Sequence, residues 1–131
     1  MAEKIGEFTM KHVVSSYNKD KNGNLTARSD WKGAGSSTTL GTAQVFGSFT
    51  TNAPLSDGNA KSGTIEFAGE SFLEDGTTVA NVADGTWEKP ENEHSWHIVM
   101  EGKNSLGHTR RYEGKADLET LTFTGEIYSI D

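Results

Sequence analysis

The sequence predicts an all-β chain: a closed eight-stranded antiparallel up-and-down barrel, with a two-sheet β-sandwich as the alternative. Three observations carry this expectation. Eight segments alternate apolar and polar residues, the period of a half-buried strand. Five of them hold a glycine near the middle (Gly47, Gly69, Gly85, Gly114 and Gly125), which weakens a flat sheet but suits a sharply coiled one. Most connections are short turns, so neighbours in sequence become neighbours in space. An open sheet of eight strands curls or splits, and closure removes its exposed edges. The 131 residues fit one barrel domain, 1–131, with a single core.

Each element is justified in turn. The first strand is read over Gly6–Tyr17, with Phe8, Met10, His12 and Val14 on one face and Glu7, Thr9, Lys11 and Ser15 on the other. Asp20-Lys21-Asn22-Gly23 turns the chain, because Asn-Gly supplies positive φ angles. The second is read over Asn24–Lys32, with Leu25, Ala27, Ser29 and Trp31 together, and Gly33–Ser37 is expected to be a flexible loop. The third, Thr39–Thr51, places Ala43, Val45, Gly47 and Phe49 opposite Gln44, Phe46 and Ser48. Asn52–Ser62, with Pro54 and Asp57-Gly58, is the longest predicted loop. The fourth, Gly63–Leu73, sets Ile65, Phe67, Gly69 and Ser71 against Glu66, Ala68 and Glu70. The fifth, Thr77–Glu88, sets Val79, Asn81, Ala83, Gly85 and Trp87 against a face nearly as apolar, so its orientation stays open. The sixth, His94–Gly102, aligns His94, Trp96, Ile98 and Met100; the seventh, His108–Leu118, aligns Tyr112, Gly114, Ala116 and Leu118. The eighth, Thr120–Ile130, aligns Leu121, Phe123, Gly125 and Ile127.

Hydrophobic residues make up only 33% of the chain, but their period-two spacing, with aromatics inside the runs, argues against disorder. Residues 66–93 carry eight acids and one base, so the whole net charge of −7 resides there. That segment reads as a solvated face. A nucleic-acid partner is not expected, since phosphate binding needs a basic stripe. The absence of cysteine excludes disulfides and thiolate chemistry. No apolar leader and no membrane-spanning run is visible, so the expectation is a cytoplasmic protein without a membrane partner.

The predicted inward face gathers Trp31, Trp87, Trp96, Met100 and Phe123 as candidate ligand-lining residues, with Asn81 and Arg110 as polar contacts. Small inward neighbours, the five glycines among them, are expected to leave volume in which a ligand sits. A barrel of eight strands is either filled by side chains or holds one small ligand, and an aromatic pocket with few polar groups is how such sites are built. His12 is a candidate for proton exchange near neutral pH, and Tyr112 for donation to a developing oxyanion; these two are the candidate catalytic residues. Arg110, near the same rim, could anchor an anion. No metal site is expected: His94 and His97 point to opposite faces, and His97 and Glu101 lie about 13 Å apart along a strand.

The segments Leu40–Gly47, Tyr112-Glu113-Gly114 and Gly125–Tyr128, Gly/Thr-rich and without helices between them, resemble the allene-oxide-cyclase-type small barrels within the calycin-like group. The resemblance implies a cofactor-free barrel with an apolar cavity, in some members a cyclase or isomerase, and often a homo-oligomer. It transfers no catalytic residue to a numbered position. The functional expectation is a small-molecule-binding barrel for an apolar or aromatic ligand. The alternatives are a cofactor-free isomerase, cyclase or lyase in the same cavity, and a structural or oligomerisation module using outward Phe46, Phe72 and Val82.

Overall fold

The period-two segments form eight strands: β1 Glu3–Lys19, β2 Leu25–Ser37, β3 Gly41–Ala53, β4 Ser62–Leu73, β5 Thr78–Glu88, β6 Ser95–Asn104, β7 Thr109–Asp117 and β8 Thr122–Ser129. The computed structural model describes residues 2–53, 56 and 58–131. Pro54 and Asp57, assigned by the sequence to the long loop, lie outside the described residues. Each strand pairs antiparallel with the next, and β8 returns to β1, with Phe8 opposite Gly125. The sheet is therefore a closed barrel and not a two-sheet sandwich. Among the described residues no helix is long and apolar enough to cross a membrane.

Two sequence expectations change. Gly33–Ser37 is not a loop but the end of β2, paired with β1 on one side and β3 on the other. Its backbone groups satisfy two ladders whatever the side chains are, and Gly33 allows close approach: a Cβ there would sit 2.6 Å from Met10 Cα. In β1 the register with β2 shifts between His12 and Val14. This bulge reverses the alternation, as an unpaired extra residue must. Val14 consequently faces solvent, and Ser15, half-buried, hydrogen-bonds the His12 ring, Oγ to Nε2, at 2.7 Å.

The orientation of β5 is settled by burial: Val79 and Ala83 are inside, whereas Val82 is 61% exposed. Phe46 and Phe72 are exposed on the outer face, with ring centroids 5.8 Å apart in an edge-to-face pair. The core is a cluster in mid-barrel that includes Phe8, Met10, Trp31, Phe49, Ile98, Met100 and Phe123. Complete burial of each such side chain contributes about 1.5–3 kcal/mol relative to exposure. Phe123 contacts Phe8, Phe49 and Trp31 at centroid distances of 4.8, 5.0 and 6.1 Å. These rings also take the space the glycines leave. The Phe67 ring occupies the place of a Cβ at Gly47, and Phe8 Cζ lies 3.1 Å from the place of one at Gly114. Gly47, Gly69, Gly114 and Gly125 thus make room for phenylalanine rings, whereas Gly85 lies against the backbone of β6.

Candidate functional site

The aromatic layer divides the barrel interior into two cavities, one at each mouth. The sequence groups all candidates on one inward face, and the structure separates them along the barrel axis.

At the mouth nearest the β1–β2 turn lies a cavity of about 240 Å³ lined by His12, Trp31, Trp87, Trp96, Ile65 and Ile98, among others. The Trp31 indole N–H donates to Ser29 Oγ at 2.9 Å, and the His12 ring stands edge-on to Trp31 at 5.3 Å. Trp87 packs against Gly63, whose Cβ would lie 2.8 Å from the indole ring, and its buried Nε1 has no hydrogen-bond partner among the described residues. The three tryptophans and His12 therefore share this mouth.

At the opposite mouth, nearest the β6–β7 turn, a cavity of about 90 Å³ is lined by Phe8, Met10, Val45, Phe67, Met100, Phe123 and Ile127, with Asn81, Asn104, Arg110 and Tyr112 as its larger polar members. His12 and Tyr112, the two candidate catalytic residues, are not brought together: they line different cavities. Asn81, Met100, Arg110, Tyr112 and Phe123 are brought together.

Arg110 is the second residue of β7 and is 5% exposed. Its partner on β6 is Gly102, which brings no side chain to compete for the space. Nη1 makes the hydrogen bonds of the guanidinium, donating to Thr109 O at 2.9 Å, Ser129 Oγ at 3.4 Å and Asp131 Oδ2 at 2.7 Å. Nε and Nη2 have no partner among the described residues. Burial raises the Tyr112 hydroxyl pKa above its usual value, only partly offset by the positive charge of Arg110. Tyr112 therefore remains a protonated donor at neutral pH.

Asn104 is the residue that sequence reasoning missed. It ends β6 and is 8% exposed. Its Oδ1 accepts from the N–H groups of Leu106 and His108 at 3.0 and 3.1 Å, which fixes the amide orientation and leaves Nδ2 as the donor on the cavity side. The signal for it was present: continuing the period of Met100 and Gly102 reaches Asn104, and Asn-Ser-Leu-Gly is a turn sequence whose Asn caps the backbone. Asn81 is fixed in the other sense, its Nδ2 donating to Ser71 Oγ at 3.1 Å and Val79 O at 3.3 Å, so Oδ1 is its free acceptor.

Asp131 accepts from the Thr109 N–H at 2.6 Å and from Arg110, and these hydrogen bonds, in that order, hold its carboxyl below 3.8. A carboxylate with a depressed folded-state pKa stabilises the fold above its unfolded pKa, and that contribution is lost as pH falls through the folded value. Asp131→Asn is therefore expected to lower the melting temperature at neutral pH. The difference from the parent should close below 3.8, read from thermal melts across an acid series.

Among the described residues no group of three or more His, Asp or Glu side chains is placed to hold a metal ion. No protein-family model, curated protein or solved structure matches the chain.

Proposed function

We propose that this protein binds a small molecule with an apolar or aromatic body in the cavity beside Arg110. One observation carries the reading: a cavity with mostly apolar walls on which a few oriented polar groups converge, Arg110, Tyr112, Asn104 and Asn81. Size limits the ligand. A dry cavity of about 150 Å³ holds benzene. The 90 Å³ here accommodates the inner part of a single-ring molecule whose polar end reaches the mouth. Because His12 and Tyr112 occupy opposite mouths, binding is favoured over acid–base chemistry shared between them.

The test is a titration of isotope-labelled protein with benzyl alcohol, followed by amide chemical shifts. Shifts should concentrate on Met100, Tyr112 and Ile127. Ala43→Leu, which fills the cavity from β3, should abolish them while the spectrum stays folded. Shifts confined to the Trp87 and Trp96 mouth, or scattered over the outer face, would refute the assignment.

A further inference from the structure

We propose that the ligand of this cavity is a carboxylate, its carboxyl group held by Arg110 at the mouth and its apolar body directed towards Phe8, Met10 and Phe123. The inference rests on the binding reading above and names the chemical class. Three features support it.

The first is the donor balance. Arg110 Nε and Nη2, Asn104 Nδ2 and the Tyr112 hydroxyl are donors without a partner among the described residues, against the single free amide acceptor of Asn81. A wall rich in unpaired donors selects a ligand rich in acceptors. The second is shape. Nε–H and Nη2–H form one edge of the guanidinium, two parallel donors that match the two oxygens of a planar carboxylate. That edge is free because Nη1 alone holds Thr109, Ser129 and Asp131. The third is burial. Arg110 as a residue is 5% exposed beside an apolar cavity, so an anion there meets a charge less screened than one on the open surface. A purely structural clamp on the end of β8 would account for Nη1 and leave the other edge unexplained.

Asp131 already sits on the same guanidinium, its side chain 45% exposed. It offsets part of the charge a ligand would feel, and it acts from the solvent side without occupying the free edge. Its removal should therefore strengthen binding.

Benzoate and benzyl alcohol make the experiment, since they share a ring and differ in the anionic group. Both are titrated into the full chain by calorimetry and amide shifts. Benzoate should bind the parent about tenfold more tightly or better, the scale of a charge-assisted hydrogen-bond pair. Arg110→Gln should remove that preference by weakening benzoate more than benzyl alcohol, and Asp131→Asn should tighten benzoate several-fold and leave benzyl alcohol unchanged. Equal affinity of the parent for both probes would overturn the carboxylate assignment while leaving the cavity reading intact, and so would an equal loss of both in Arg110→Gln. Binding of neither probe at this mouth would overturn both. The parent comparison needs no variant, so the proposal stays falsifiable if Arg110→Gln fails to fold.

Discussion

Phe123→Ala is expected to destabilise the fold by about 3–5 kcal/mol, the range for emptying a buried phenylalanine site. Phe123 is 2% exposed and packs against Phe8, Phe49 and Trp31, which project from β1, β3 and β2. None of these rings can follow the lost side chain without leaving its own contacts, so most of the void should persist. A small domain has only about 5–15 kcal/mol in total, so the urea midpoint should move far while the slope stays constant. A second effect follows from position. Phe123 lies in the layer between the two cavities and lines the Arg110 side. Its truncation should enlarge that cavity and let it accept probes larger than one ring. A loss below about 1 kcal/mol would mean that the layer collapses freely and is not the rigid partition described above.

Gly85→Val should be comparably damaging for a different reason. A Cβ at Gly85 would fall inside the Val99 carbonyl oxygen and 2.7 Å from Met100 Cα, both backbone atoms of the paired strand. Gly102, on that strand, approaches Ala83 Cα as closely, 2.6 Å from the place of its own Cβ. The β5–β6 pair is coiled tightly enough that each strand presses a glycine against the other's backbone. Overpacking of this kind costs about 1–3 kcal/mol when side chains can yield, and more is expected here because backbone must move. Thr86→Ala, one residue on and exposed, should stay within about 0.5 kcal/mol. Circular dichroism melts of the two variants side by side decide it. Equal melting temperatures would show that the strand pair relaxes and that closure does not depend on the glycine.

Much of this architecture was legible from residues alone, and the misses have identifiable causes. Alternation located all eight strands and gave the inward sets of β3 and β4 correctly. It overran strand ends: His94, Leu118 and Leu121, expected inside, lie just beyond β6, β7 and β8 and are exposed. It failed at Val13-Val14, where two adjacent valines fit either face and a bulge shifts the parity without any signature in the pattern. It failed at Gly33–Ser37, where the absence of apolar side chains reads as a loop although two neighbouring strands supply every backbone partner. The glycines were rightly seen as the means of coiling. Their volume was misjudged, because the phenylalanines that fill it come from other strands, or from other positions on the same strand, at heights the pattern does not specify.

The candidate site divides along the same line. A period of two fixes which face of a strand a residue occupies, so the sequence by itself determined that His12, Trp31, Trp96, Met100, Tyr112 and Phe123 share the inward face, whereas Asn81 and Trp87 on β5 needed the burial of the folded chain to orient them. It contains nothing that fixes how far each strand is staggered along the barrel axis. That stagger is set when β8 pairs with β1 and the hydrogen-bond register of the whole sheet becomes mutually consistent. Only the tertiary structure therefore decided that His12 and the tryptophans gather at one mouth, that Asn81, Arg110 and Tyr112 gather at the other, and that a layer of aromatic rings separates them.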